Sequence, residues 1–299
     1  MVRNTVKNGT AGFAAAFLAL VIIMFLLLDA ILTATNPVGK STLFRMNDFE
    51  KTIAIHGTTE FDSIIYGSSP VVAGFKGAES SSGYVEFGLV YGKITYLLTM
   101  LEKGHITVDK DIVLGLSITV FMDQLDTDPR YIWHKSPLEP YLYFYRDRVN
   151  TLFSDSFGRF LDGDFTVQRY TNMEKLLYHG VLSDEKIDAT LAVHEEKFWG
   201  LPMEAFEENL AALERLIVYC GDHGIRLRAL WMPCNPYRPA PEIYDKVISE
   251  ANVILAAGGI EIRDMTHSYP REYFYDIGHL NYEVGAEVFT REIDIWLAS

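Results

Sequence analysis

The chain is poor in cysteine, with two in 299 residues, Cys220 and Cys234. Two thiols exclude the disulfide framework of a small secreted scaffold. They are not expected to bond to each other either. Cys220 falls near the end of a helical pattern and Cys234 near the far end of the strand that follows. A helix returning antiparallel to its strand leaves them about a strand length apart. Positive charge is scarce as well. With 26 Lys and Arg against 40 Asp and Glu, the formal charge is −14, which speaks against a nucleic-acid partner. There is no repeat, no low-complexity segment and no Cys/His cluster at zinc spacing, so neither metal nor cofactor is expected. The length suits one sizeable domain with appendages, large enough to bury a core without covalent staples.

What is abundant is apolar surface in one place. "AGFAAAFLALVIIMFLLLDAILTA", residues 11–34, is apolar except for Asp29 and Thr33, and is long enough to cross a bilayer as a helix. A cleaved secretory signal has a shorter apolar core and a small-residue cleavage site, which "LTATNP" does not offer. An uncleaved anchor is therefore expected ahead of a signal, and either ahead of a buried soluble helix. Arg3 and Lys7 precede the run; Lys40, Arg45 and Lys51 follow it, diluted by Asp48 and Glu50. This weak bias puts the N-terminus in the cytoplasm and the rest outside. Asp29 then sits near the outer interface, where a carboxylate costs less than at mid-bilayer. The strongly acidic remainder is repelled by anionic lipid, so the anchor alone is expected to hold it at the membrane.

Residues 36–60 read as a stalk, with Asn36, Pro37 and Gly39 as breakers. Beyond them, short apolar runs alternate with helical patterns. Strands are expected at "FDSIIYG" (61–67), "GYVEFG" (83–88), "DIVLGLSITV" (111–120), "IRLRALWMP" (225–233) and "IEIRDM" (260–265). Helices are expected at 92–104, 202–224, 240–259 and 281–298. This alternation predicts an α/β fold with a five-stranded parallel sheet covered by helices on both faces. An aromatic and charged insertion, about 121–201, interrupts it. It is either a cap over the site or a helical excursion that only packs. Its Tyr141, Tyr143, Phe144 and Tyr145 either stack on sugars or pack against a partner, or fill the insertion's own core.

Two motifs carry chemistry. Strand one stops on Gly67-Ser68-Ser69-Pro70. Ser69 before proline is N-cap chemistry. It also stands at the carboxyl end of a strand, where open α/β sheets place their sites. After the last strand, "YFYDIGHLNYEVGAEVF" (273–289) holds Asp276 and His279 as D-x-x-H. That spacing lets a carboxylate fix one imidazole nitrogen while the other faces a hydroxyl. Strands one and five end on the same edge of a parallel sheet, so Ser69, His279 and Asp276 are expected to meet there. His56, His105, His134, His179, His194, His223 and His267 have no comparable setting.

Strand, Gly-x-Ser, parallel α/β repeat and a late D-x-x-H-L-N entering the final helix together resemble the SGNH (GDSL-like) hydrolase superfamily. The resemblance spans residues 61–299 in architecture, with sharp motifs at the two ends. It implies a three-layer, flavodoxin-like α/β/α sandwich and a Ser-His-Asp triad of Ser69, His279 and Asp276. It also implies an oxyanion hole built from the serine's own N–H, a glycine N–H after strand two, here Gly88, and an asparagine after strand three. "LGLSITVFMDQ" has no such asparagine, leaving Ser117 or Thr119 as donors. Ser68 stands where many members carry aspartate. The N-terminal anchor, Gly-Ser-Ser, the lost asparagine and the terminal D-x-x-H-L resemble the branch containing the D-alanyl-lipoteichoic acid protein DltD and the extracytoplasmic partners of membrane-bound O-acyltransferases. "WMPCNPYRP" (231–239) is similar to that branch's Pro-x-Asn segment. Asn235 is then a site-lining residue, or simply a turn former between two prolines.

Two functions are therefore expected of this sequence. One is a membrane-anchored extracytoplasmic serine esterase or O-acyltransferase acting on an acylated cell-surface polymer or its acyl donor. The other is a non-catalytic protein of the same fold that binds such a polymer or a membrane-bound O-acyltransferase.

Overall fold

Five strands, all parallel, hydrogen-bond in the order β2-β1-β3-β4-β5. They are β1 (Glu60–Gly67), β2 (Val85–Gly88), β3 (Thr107–Leu116), β4 (Arg226–Trp231) and β5 (Glu261–Asp264). The computed structural model describes residues 2–40, 48–125, 138, 141–166, 175–237 and 241–298. β1, β3 and β4 form because β-branched and other apolar residues fill both faces of a doubly covered sheet. Ile65, Val113 and Leu230 pack into one apolar cluster with residues of the last helix. Their neighbours Ile64, Tyr66, Ile112, Leu114 and Ala229 are buried on the opposite face.

The sheet unit's principal helices are α3 (Asp48–His56), α4 (Ser69–Gly74), α5 (Ile94–Glu102), α7 (Asp184–His194), α8 (Glu207–His223), α9 (Glu242–Ala257) and α10 (Gly285–Leu297). The other unit has α1 (Val2–Thr35), α2 (Pro37–Lys40) and α6 (Asp147–Leu161). Right-handed crossovers send the chain leftward from β1 to β2 over one face and back rightward over the other. Accordingly α10 packs on α4, whereas α5 packs on α8 and α8 on α9. This is the doubly wound 2-1-3-4-5 order, whose chain reversal lies between β1 and β3. Helix ends follow local chemistry. α8 closes on Gly224 in the left-handed conformation, φ 69°, its N–H bonded to the Cys220 carbonyl. Cys220 and Cys234 are both free thiols.

The strand ends differ from the sequence pattern in one informative place. The run read as strand to residue 120 leaves the ladder at Leu116, and Ile118–Phe121 is a 3-10 turn. β4 and β1 offer β3 no pairing partner beyond that point.

Contacts divide the chain into two units: Met1–Met46 with Tyr131–Asn172, and Asn47–Arg130 with Met173–Ser299. The stretch read as a stalk is therefore shared. Asn36, φ 45°, breaks α1 from α2. α3 belongs to the sheet unit, with Phe49 buried 5.9 Å edge-on from Phe87 of β2. The expected insertion is shared too. Its central part joins α1, and its end, from residue 173, joins the sheet. Within α1, Gly12–Thr35 has a mean hydropathy of 2.9 and is long and apolar enough to cross a membrane.

One glycine sets how closely the site's elements approach. A Cβ on Gly67 would lie 2.5 Å from the Gly115 carbonyl oxygen and 2.5 Å from Val71 Cγ2. A carbonyl in a β-ladder cannot retreat, so Gly67→Ala is expected to lower stability by about 1–3 kcal/mol, as overpacking does. Thermal unfolding by circular dichroism measures it, and an unchanged midpoint would contradict the packing described.

Candidate active site

The turn that carries Ser69 is built by the end of β1. Gly67 pairs with Gly88 on one side and Gly115 on the other. Ser68 takes the N-cap position in extended backbone without making a side-chain cap, and Pro70 stands in the first turn of α4. The sequence suggested Ser69 as the cap. In the structure Ser69 is the first helical residue, and its hydroxyl goes elsewhere: His279 Nε2 lies 2.8 Å from Ser69 Oγ across 210 residues of chain.

His279 Nδ1 is 2.8 Å from both oxygens of Asp276. Asp276 Oδ1 also accepts the backbone N–H groups of Gly278 and His279, each at 2.9 Å. The loop is closed by a bridge between Phe274 and Leu280, both buried in the core. Asn281 Oδ1 then accepts the N–H groups of Val284 and Gly285 at the start of α10. Asn235 braces the loop from β4's side. Its Nδ2 donates to the Asp276 carbonyl at 2.7 Å, and its Oδ1 accepts the Tyr237 N–H at 3.0 Å. It is thus a turn former that also positions Asp276.

Burial works to raise the Asp276 carboxyl, but the hydrogen bond and charge of His279 and the two N–H donors outweigh it and hold it below the ordinary range. A depressed carboxyl contributes stability that is present above its unfolded value, about 3.8, and is lost as pH falls through the folded one. Asp276→Asn removes that dependence. Denaturant titrations at about pH 5 and about pH 3 should therefore lose less stability on acidification in the variant than in the wild type. Equal losses would exclude the carboxylate pairing.

The other predicted donors are placed differently. Ser68, Ser117 and Thr119 form a closed triangle of hydroxyls, with Ser68–Ser117 at 2.8 Å, Ser68–Thr119 at 2.7 Å and Ser117–Thr119 at 2.8 Å. Three hydroxyls each have one proton to give, so a ring satisfies all of them. The two residues expected to serve the oxyanion are thus tied to Ser68. Gly88 lies at the right strand end, but its N–H donates to Glu86 Oε1 at 2.5 Å. Glu86 Oε2 pairs with Lys175 Nζ at 2.7 Å, and Lys175 also donates to the Gly88 carbonyl at 3.1 Å. Burial raises the Glu86 carboxyl, more than Lys175 and the Gly88 N–H lower it.

Three residues here carried no sequence signal: Glu86, Lys175 and Tyr178. The Tyr178 ring stacks on His279 with centroids 4.1 Å apart and planes 8° apart. Its own backbone carbonyl accepts the Tyr282 N–H at 2.8 Å. The stacked ring holds the imidazole plane and offers it a π-face, which attracts a cation more strongly than a neutral ring. A separate cavity of about 450 Å³ opens on the β2 side of α4, lined by Val72, Lys76, Glu86, Lys175 and Tyr282 among others. None of the Ser69, His279 and Asp276 side chains lines it.

No protein-family model matches the chain, and no curated protein is significantly similar to it.

Proposed function

We propose that the protein is a membrane-anchored extracytoplasmic serine esterase or O-acyltransferase, acting on an acylated cell-surface polymer or its acyl carrier. The observation that carries this is the continuous relay Ser69 Oγ, His279 Nε2, His279 Nδ1 and Asp276, with every link at 2.8 Å. In the proposed reaction Ser69 Oγ attacks the ester or thioester carbonyl as His279 Nε2 takes its proton. Asp276 holds the Nδ1–H tautomer and stabilises the imidazolium. The tetrahedral intermediate collapses, His279 protonates the leaving group, and an acyl-Ser69 remains. Water or a polymer hydroxyl, deprotonated by His279, then takes the acyl group. The Ser69 N–H and the Gly88 N–H are the proposed oxyanion donors. The second serves only once Glu86 has released it.

α1 is read here as the anchor, with its N-terminus cytoplasmic and the rest of the chain outside. The membrane-bound O-acyltransferase that the resemblance suggests is the proposed partner, as the source of acyl groups.

The occupied Gly88 N–H and the closed hydroxyl ring favour one second reading: a non-catalytic protein of this fold that binds the polymer or the acyltransferase. Reaction of the full-length protein in detergent with a serine-directed fluorophosphonate separates the two. Covalent labelling at Ser69 supports an activated nucleophile. A folded, unlabelled wild type, tested with fluorophosphonates of several sizes, would leave the binding reading.

A further inference from the structure

α1 is bare over almost all of its apolar span. Only 6 % of its most apolar window is buried within the protein. Asp29 is the exception. It is 4 % exposed, and its two oxygens accept the backbone N–H groups of Tyr143 and Phe144 at 3.2 and 3.1 Å. A carboxylate with both oxygens satisfied costs far less in an apolar setting than a bare one. The same strand of chain is held to α1 further along. Thr33 Oγ1 donates to the Tyr141 carbonyl at 3.5 Å, and just past the end of α1 Arg146 Nη1 donates to Asn36 Oδ1 at 2.9 Å.

These contacts fix a depth. Phe144 stacks on Phe25 with centroids 5.2 Å apart, and Phe153 of α6 lies 6.2 Å from Phe144. Phe25 is one turn, about 6 Å, to the N-terminal side of Asp29 along α1. The aromatic ladder therefore brings α6 beside the apolar part of the span. α6 is amphipathic. Phe153, Phe157, Phe160 and Leu161 recur at one helical face, and all four are more than half exposed. Phe165 joins them, 5.5 Å edge-on from Phe160 and 80 % exposed. Asp155 projects from the opposite side, about 160° round the helix from Phe157.

We infer that α6 lies in the outer-leaflet interface of the bilayer that α1 spans, with Phe153, Phe157, Phe160, Leu161 and Phe165 immersed in lipid. This rests on α1 being the membrane anchor and does not depend on any catalytic activity. The occupant is lipid because the face continues the surface of α1 at the same depth, joined to it through Phe144. An interfacial helix of this size with aromatic and aliphatic residues on one face binds in this way.

The test uses the full chain in phosphatidylcholine–phosphatidylglycerol vesicles whose acyl chains carry nitroxides. In a Cys220→Ser, Cys234→Ser background, single environment-sensitive fluorophores are placed through Phe157→Cys, Asp155→Cys or Leu20→Cys, with folding checked by circular dichroism. The expected result is that the labels at positions 157 and 20 lose most of their emission to the nitroxides and the label at 155 keeps its own. Quenching at 20 without quenching at 157 would overturn the inference while leaving the anchor, and would assign the apolar face to a protein partner. Equal quenching at 155 and 157 would overturn the orientation. No quenching at any position would remove the anchor reading and the inference with it.

Discussion

Ser69→Ala is expected to abolish covalent labelling, because the atom that forms the bond is gone. His279→Ala should slow it by about 10⁴-fold or more, since a hydroxyl without its base is a poor nucleophile at neutral pH. The geometry makes the two effects non-additive. Ser69 Oγ lies 2.8 Å from His279 Nε2, and the imidazole is held by Asp276 through its other nitrogen, Nδ1. The double variant should therefore be no worse than Ser69→Ala alone, as for residues that act as a unit. Labelling rate against a gel-based fluorescent fluorophosphonate measures both. Retained labelling in Ser69→Ala would place the nucleophile elsewhere. Unchanged labelling in His279→Ala would mean that the hydrogen bond seen here activates nothing, and the esterase proposal would fall.

The second large effect is on stability and is independent of function. Arg228, in the middle of β4, is fully buried. Its Nη2 donates to Asp111 Oδ2 of β3 at 2.7 Å, and the Tyr84 hydroxyl donates to the same oxygen at 2.7 Å. The guanidinium also lies 4.8 Å from the Trp296 ring. Burial, then Asp111, pushes the Tyr84 hydroxyl up to about 12, so it remains a donor. Asp111→Ala leaves a buried cation without its counter-charge, alongside guanidinium nitrogens Nε and Nη1 that have no hydrogen-bond partner among the described residues. The expected loss is about 3–5 kcal/mol. Replacing both residues, Asp111→Leu with Arg228→Met, should recover most of it, because the desolvation cost of both charges disappears together. Urea unfolding of Asp111→Leu, Arg228→Met and the double variant closes the cycle. Single variants that each cost under about 1 kcal/mol would show that the pair is solvated in a way its burial does not suggest.

The features legible in the sequence are the local ones. Alternating apolar runs and amphipathic repeats marked all five strands and the helices α5, α8, α9 and α10, because side-chain period reports which face is covered. Gly-x-Ser and D-x-x-H were visible because their geometry is made within a few residues: Asp276 binds the N–H groups of Gly278 and His279 and the ring of His279. The long apolar run gave α1 by length and composition alone.

Tertiary structure decided everything that joins distant residues. Strand order and crossover hand bring Ser69 to His279 over 210 positions. The same topology ties Lys175 to Glu86, Tyr178 to His279, and Ser117 and Thr119 to Ser68. Asn235 reads in sequence as a turn between prolines, and its clamp on Asp276 exists only once β4 and the last loop lie side by side. Asp29 reads in sequence as a carboxylate near a membrane interface, and only the fold shows that Tyr143 and Phe144 supply its two donors from 114 and 115 residues away. The Ser69–His279 meeting was legible from two motifs at strand ends on one sheet edge; the other pairs have no period or spacing to betray them. Each depends on which segments the sheet places together, and on hydrogen-bond needs that are settled only when water has been removed from around them.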